Sequence, residues 1–525
     1  MKPVFSNAQF VYSHGPARSL FILSIVLFIC LPTRSFATDI RQANSDELRS
    51  LVKQGERHVR RGEYLEAEKV FKRVTDADPN HSGAKVKLAY VYVKLRRLRE
   101  AYDLSFAVAK AEPKNSSAFA VLGATLLTAG KFPEARVVFS NSLRLNKKEA
   151  LAWAGYGMLD FYENRIFDSL ANLSEAVYHD TDEPDYHFAY AQVSARAERY
   201  RDAANAYQRF LSLSRNTDDE RRHRIKGLIS FLRFLGYKES LYITSGASET
   251  SVPIEVVGNR PVINLRVNGK KEPLRFVLDT GSGISVISEQ TAKRLKIDPV
   301  TRGGFAKGIG GDGRFEIVYG FLREVEIGDV NVRSVPVYIR KFHSDGNGID
   351  GYIGLSLISK FLTTIDYGAL TFTLTKKEQA PAAEKDGLSL PLRLTSSGFL
   401  SGEVQLEGIE EPLNFIVDTG ASVSVISDDV ASLGSISSFV RDEKMRVIGS
   451  AGITDDVPSF LLPRVSFGSH TRKSITAIAL DLDMINEASG FEQAGILGGN
   501  FLRNYRMTFD FKNSKVTFVP ITKEQ

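Results

Sequence analysis

Cysteine is almost absent: Cys30 is the only one in 525 residues, and it sits in the one long apolar run, Leu20 to Leu31. These twelve residues fall short of the ~20 that a membrane-spanning helix requires. Lys2 and Arg18 precede the run, and Ser35-Phe36-Ala37 follows it with a small-x-small pattern, so residues 1–37 read as a secretory signal peptide. Cleavage after Ala37 leaves no cysteine, which excludes disulfides and thiolate metal sites and suits an exported location, periplasmic or secreted. An uncleaved segment makes the protein membrane-anchored instead. Excess charge is also scarce. Lys and Arg outnumber Asp and Glu by 68 to 62, and no dense basic run forms a nucleic-acid footprint. The eight histidines form no His-x-x-x-His pair, and no Gly-x-Ser-x-Gly elbow occurs. Neither a metal nor a cofactor is expected.

A chain of this length exceeds one hydrophobic core and predicts two to four domains. Residues 45–215 read as helical, with Ala, Leu, Tyr and charged side chains at three- to four-residue spacing. The pairs Glu66-Ala67, Glu100-Ala101, Glu134-Ala135, Asp168-Ser169 and Asp202-Ala203 advance in steps of 34 residues. Asp78-Pro79-Asn80 and Glu112-Pro113-Lys114 repeat at the same interval, where proline ends one helix and opens the next unit. Gly62 and Gly130 mark a turn inside the unit. These features resemble the tetratricopeptide repeat. The resemblance implies five helical hairpins in a solenoid, with a groove for peptides or partner proteins and no chemistry of its own.

Residues 216–252 are turn-rich and read as a linker. The texture then changes to alternating Val, Ile and Phe with glycine punctuation, the pattern of strands and hairpins. Two all-β stretches follow, 253–378 and 389–525, with the polar segment 379–388 between them. They look duplicated. "FVLDTGSGISVIS" occupies Phe276 to Ser288 and "FIVDTGASVSVIS" occupies Phe415 to Ser427, identical at eight of thirteen positions. Each copy continues to an apolar-apolar-Gly element, Tyr352-Ile353-Gly354 and Ile496-Leu497-Gly498. The class expected is a multidomain α + β chain, an all-α repeat solenoid followed by two duplicated all-β lobes.

The paired Asp-Thr-Gly turns and their downstream glycines resemble a two-lobed aspartic protease of the pepsin/retropepsin type, with short retropepsin-like lobes. The resemblance implies an aspartic endopeptidase with a peptide or protein substrate. Asp279 and Asp418 would form the catalytic pair. Thr280 and Thr419 would brace the two loops, and Gly281 and Gly420 would let them approach. Ser282 faces Ala421 at the next position, so its hydroxyl is expected to bond Asp279 alone and make the carboxyls unequal. "GIGGDG", with Gly308, Gly310, Gly311 and Gly313, matches a dinucleotide-loop spacing. However, no apolar strand precedes it and no helix follows, so it reads as a flap tip. "IGSAGITDD", with Gly449 and Gly452, takes the equivalent place in the second lobe. Asp366 and Asp510 recur inside the last strands and read as structural. The site is expected to be complete in one chain, and the lobes to fold and cleave short peptides without the repeats. The alternative is a non-catalytic scaffold that keeps a protease-like cleft.

Overall fold

The structure, a computed structural model, describes residues 36–214, 218–238, 240–311, 313–343, 348–377 and 387–521. The signal-peptide reading falls almost wholly outside the described residues, as does most of the 379–388 linker.

Five helix pairs build the solenoid: Phe36–Arg60 with Tyr64–Ala77, Ser82–Lys94 with Leu98–Ala111, Ser116–Thr128 with Phe132–Leu145, Ala150–Tyr162 with Ile166–His179, and Pro184–Arg196 with Tyr200–Leu213. The repeated small residues explain the period. Ala67, Ala101, Ala135, Ser169 and Ala203 are all fully buried where helices cross. A larger side chain there would push two helices apart and leave voids around it. The turn inside each pair also repeats. Gly62, Arg96, Gly130, Asn164 and Glu198 all adopt left-handed backbone, φ between 57° and 75°. Only two of the five are glycine, so the packed repeat enforces a conformation that costs Arg96 and Glu198 about 1–2 kcal/mol each. Lys94 of the second unit forms an ion pair with Asp185 of the fifth.

Residues 216–252 are not a linker. They contain the helix Asp219–Gly236 and the strands Ile243–Gly246 and Glu249–Pro253. The helix buries Ile225, Ile229, Phe231, Leu232 and Leu235, partly against the solenoid and partly against the first lobe. Phe231 stacks on Tyr319 with ring centroids 4.4 Å apart. Its apolar stripe lies among many basic residues, and the two strands are too short to show alternation.

Each lobe has its own sheet, of nine strands in the first and seven in the second. In the first, Gly351–Ile353 inserts between Leu274–Leu278, to which it is parallel, and Val286–Ser288, to which it is antiparallel. In the second, Gly495–Leu497 inserts in the same way between Leu413–Val417 and Ser424–Ser427. A third sheet of six strands takes three from each side of the duplication. Its central pair is Phe361–Asp366 against Tyr505–Asp510, where Thr364 faces Thr508 with hydroxyls 3.1 Å apart. These two threonines are equivalent in the duplication, so an internal two-fold axis passes between them. Asp366 and Asp510 cap the turns after their strands: Asp366 accepts from the N–H groups of Gly368 and Ala369, and Asp510 from that of Asn513.

The solenoid grips the lobes along its intra-unit turns. Phe491 of the second lobe is fully buried between Phe132 and Tyr162, with ring centroids 4.9 Å from each. Its neighbour Glu492 donates its N–H to the Thr128 carbonyl at 2.8 Å and pairs with Arg96. Arg196 donates to the carbonyls of Thr395, at 2.7 Å, and Ser396. Lys131 pairs with Glu411, and Glu198 with Lys360.

Candidate active site

Both Asp-Thr-Gly turns follow an apolar strand, and the inserted strand of each lobe holds them from behind. Asp279 donates its N–H to the Ile353 carbonyl and Asp418 donates to Leu497, each at 3.0 Å. This is the use of the downstream apolar-apolar-Gly element. The glycine lets that strand end against the loop: a Cβ on Gly354 would lie 2.7 Å from the Ser282 carbonyl, and one on Gly498 2.6 Å from that of Val423.

Four reciprocal hydrogen bonds lock the turns together. The Thr280 hydroxyl donates to the Val417 carbonyl, and that of Thr419 to Leu278, each at 2.6 Å. Each hydroxyl in turn accepts the other threonine's N–H at 3.1 Å. Both threonines are fully buried. A buried network with every polar group partnered is rigid, and removing one member strands several others. Gly281 and Gly420 lie where the carboxyls meet. A Cβ on Gly281 would stand 2.3 Å from the Asp418 carboxyl carbon, and one on Gly420 2.7 Å from that of Asp279.

The two carboxyls hydrogen-bond each other, and both are pushed above the ordinary carboxylate range, first by burial. For Asp279 the neighbouring Asp418 adds to the rise. Two carboxyls this close cannot both ionise, so the pair holds one proton across the range where free aspartates have lost theirs. The carboxyls are unequal for a reason other than the one expected. The Ser282 hydroxyl donates to the Ile284 carbonyl at 2.8 Å rather than to Asp279. Asp418 instead receives the N–H groups of Gly420 and Ala421 on one oxygen, at 2.7 and 3.2 Å, whereas Asp279 receives that of Gly281 at 3.0 Å.

A stability test follows from the shared proton. Near pH 3, folded and unfolded chains both carry protonated carboxyls. As pH rises, the unfolded chain releases its proton while the folded pair retains one, so the fold loses relative stability up to the pair's own ionisation. Asp279→Asn removes the share of that loss that Asp279 carries, while Asp418 stays buried and keeps its own. The variant's Tm is expected to match wild type near pH 3 and to exceed it increasingly toward about pH 7. A constant gap across this range would show that the carboxyls share no proton.

The glycine-rich segments form two hairpin tips that meet. The first joins Thr301–Lys307 to Arg314–Ile327, closed by the Gly308 N–H on the Gly313 carbonyl at 2.9 Å. The second joins Met445–Ile448 to Ile453–Val457, closed by the Gly449 N–H on the Gly452 carbonyl at 2.8 Å. Ala451 donates to the Ile309 carbonyl at 2.8 Å, and Gly311 donates to that of Ile453 at 3.2 Å. A Cβ on Gly310 would lie 2.2 Å from the Gly452 carbonyl oxygen, so the tips meet only because glycine stands there. The Ile309 side chain packs with Ala421, Val447 and Leu480 in an apolar cluster of the second lobe.

Some supporting residues escaped the sequence reading. Ser285 and Ser424 accept the N–H groups of Gly354 and Gly498, each at 3.1 Å, and Asn500 holds Ser424 in place. Ser285 and Ser424 belong to the Ser-Val-Ile-Ser block shared by both copies, which was a usable signal. Asn500 has no such counterpart.

Residues 263–357 and 402–501 match the aspartyl protease family, one segment in each lobe. Residues 58–126 match the tetratricopeptide repeat. No curated protein matches the chain. Among solved structures, a thermophilic TPR protein of Thermus thermophilus is 19% identical over 35% of this chain and 98% of its own, with a TM-score of 0.31. YrrB, a TPR protein with an unusual peptide-binding site, is 17% identical over 34% of this chain and 92% of its own, with a TM-score of 0.22. The chain carries an aspartyl protease domain in its two β lobes, preceded by a region of tetratricopeptide repeats.

Proposed function

We propose that the protein is an aspartic endopeptidase in which Asp279 and Asp418 activate water against a peptide bond. The observation that carries this reading is the mutual lock of two intact Asp-Thr-Gly turns, which leaves both carboxyls hydrogen-bonded to each other at one point. The ionised member takes a proton from water as it attacks the carbonyl carbon. The protonated member donates to the carbonyl oxygen, and a proton then passes to the leaving amine. The N–H groups facing Asp418 favour the charge on that side, which makes Asp279 the better resting donor. No covalent intermediate forms. The paired hairpin tips act as flaps that part for the substrate and close over it. The location is exported, periplasmic or secreted, and the solenoid groove receives a protein partner or part of a long substrate.

The test is a diverse peptide mixture incubated with purified protein from about pH 3 to pH 8 and read by mass spectrometry. Internal cleavage is expected, blocked by a statine peptide whose hydroxyl takes the water position and untouched by chelators or serine and cysteine reagents. Absence of cleavage at every pH, or cleavage that the statine peptide leaves intact, rules the reading out.

A further inference from the structure

The internal two-fold relates two chemically unlike cleft walls. In the first lobe, Val286 and Ser288 register with Tyr338 and Arg340. In the second, their counterparts Val425 and Ser427 register with Ile478 and Leu480. Tyr352, on the inserted strand of the first lobe, likewise corresponds to Ile496 of the second. Arg340 and two tyrosines thus stand where the other wall has only Leu and Ile.

The surroundings of Arg340 are unusual for a half-buried cation. Its guanidinium donates to the Ser450 carbonyl at 2.6 Å and lies 3.9 Å over the Phe315 ring. Among the described residues, no carboxylate comes within ion-pair distance of it. Arg260 is in the same position, with only the Val257 carbonyl at 3.4 Å. The Tyr352 phenol is within electrostatic reach of both arginines and of both aspartates. Among the described residues, this end of the cleft therefore carries two positive charges without an ion-paired carboxylate, Asp279 acting on Arg340 only at longer range.

Ser450 and Phe315 belong to the two opposing hairpins. Parting the hairpins to admit a peptide removes the Ser450 carbonyl, the one hydrogen-bond acceptor of Arg340 among the described residues, and leaving a desolvated charge unpaired is costly. A carboxylate on the incoming peptide would replace the lost carbonyl, and the planar guanidinium fork matches it with two parallel N–H donors. We propose that Arg340 forms a carboxylate-binding subsite, so that the enzyme cleaves peptides with Asp or Glu on one side of the scissile bond and an apolar residue on the other. The asymmetry follows from Leu480 and the Ile309 cluster on the opposite wall. This inference rests on the peptidase reading and names its substrate class.

The experiment compares cleavage-site profiles and kcat/KM for wild type, Arg340→Met and Arg340→Lys on matched peptides that differ only by Glu or Gln at the enriched position. Wild type is expected to show acidic enrichment within two residues of the scissile bond, on one side only. Arg340→Met should lose about tenfold or more in kcat/KM on the Glu peptide and change little on the Gln peptide. Arg340→Lys should fall between, keeping charge without the fork. Equal losses on both peptides would show that Arg340 merely holds the hairpins, and the subsite would be discarded. Should neither variant fold, the wild-type profile decides alone: cleavage with no acidic preference overturns the inference. Wild type that cleaves nothing at any pH sinks the peptidase reading, and this inference with it.

Discussion

Asp279→Asn and Asp418→Asn are each expected to hydrolyse peptides at least about 10³-fold more slowly than wild type, while the fold stays intact. In the proposed mechanism the two carboxyls exchange one proton and take opposite roles, so a single survivor could not be base and acid in the same step. Asparagine keeps the size of the side chain and can still accept the N–H groups of its own loop. The threonine lock involves only Thr280, Thr419 and backbone groups, so it survives the change. The double variant is expected to be little worse than either single one, because residues acting as a unit are non-additive. Turnover and circular dichroism on the four proteins check this. Substantial activity in either single variant would mean that the carboxyls do not work as a pair.

Removing residues 1–250 is expected to abolish activity on short peptides as well as long ones. The sequence suggested a detachable solenoid, but the packing argues otherwise. Phe491 is sandwiched between solenoid aromatics only six residues before Leu497, whose carbonyl holds Asp418. The Arg196 guanidinium holds the carbonyls of Thr395 and Ser396, and the same loop presses the Ser397 carbonyl against Gly283 beside the first turn. Solenoid contacts therefore stand behind both halves of the pair. Truncation also strips Ile243–Gly246 from the edge of the first sheet and exposes the face that Phe231 and Leu235 cover. Phe491→Ala in the full chain is the milder test, with an expected stability loss of about 3–5 kcal/mol for an emptied aromatic site. Its kcat should fall on every peptide. A well-folded fragment starting near Ser251 with wild-type turnover would overturn this and restore the modular picture.

The parts of the molecule visible in the sequence are those specified by local pattern. Five small residues at one crossing position and two Asp-Thr-Gly turns with their downstream glycines report directly on backbone geometry. The parts that were hidden depend on distant partners. The helix Asp219–Gly236 has a stripe that makes sense only once Tyr319 is beside it. Phe491 looks like an ordinary apolar residue in a turn. Arg340 becomes distinctive only when its two-fold counterpart is seen to be Leu480. Ser282 misled for a related reason: its hydroxyl had a nearer backbone acceptor, Ile284, that the spacing did not reveal.

The Thr364–Thr508 contact has a consequence for how the site responds to dilution. A symmetric site built from two separate chains disappears as its components thin out, since assembly follows mass action. Here the central sheet joins the two halves of one polypeptide at that contact, and the effective concentration of one turn near the other is set by the tether alone. Specific activity should therefore stay constant however far the enzyme is diluted. With no need for identical partners, each wall was free to acquire its own chemistry.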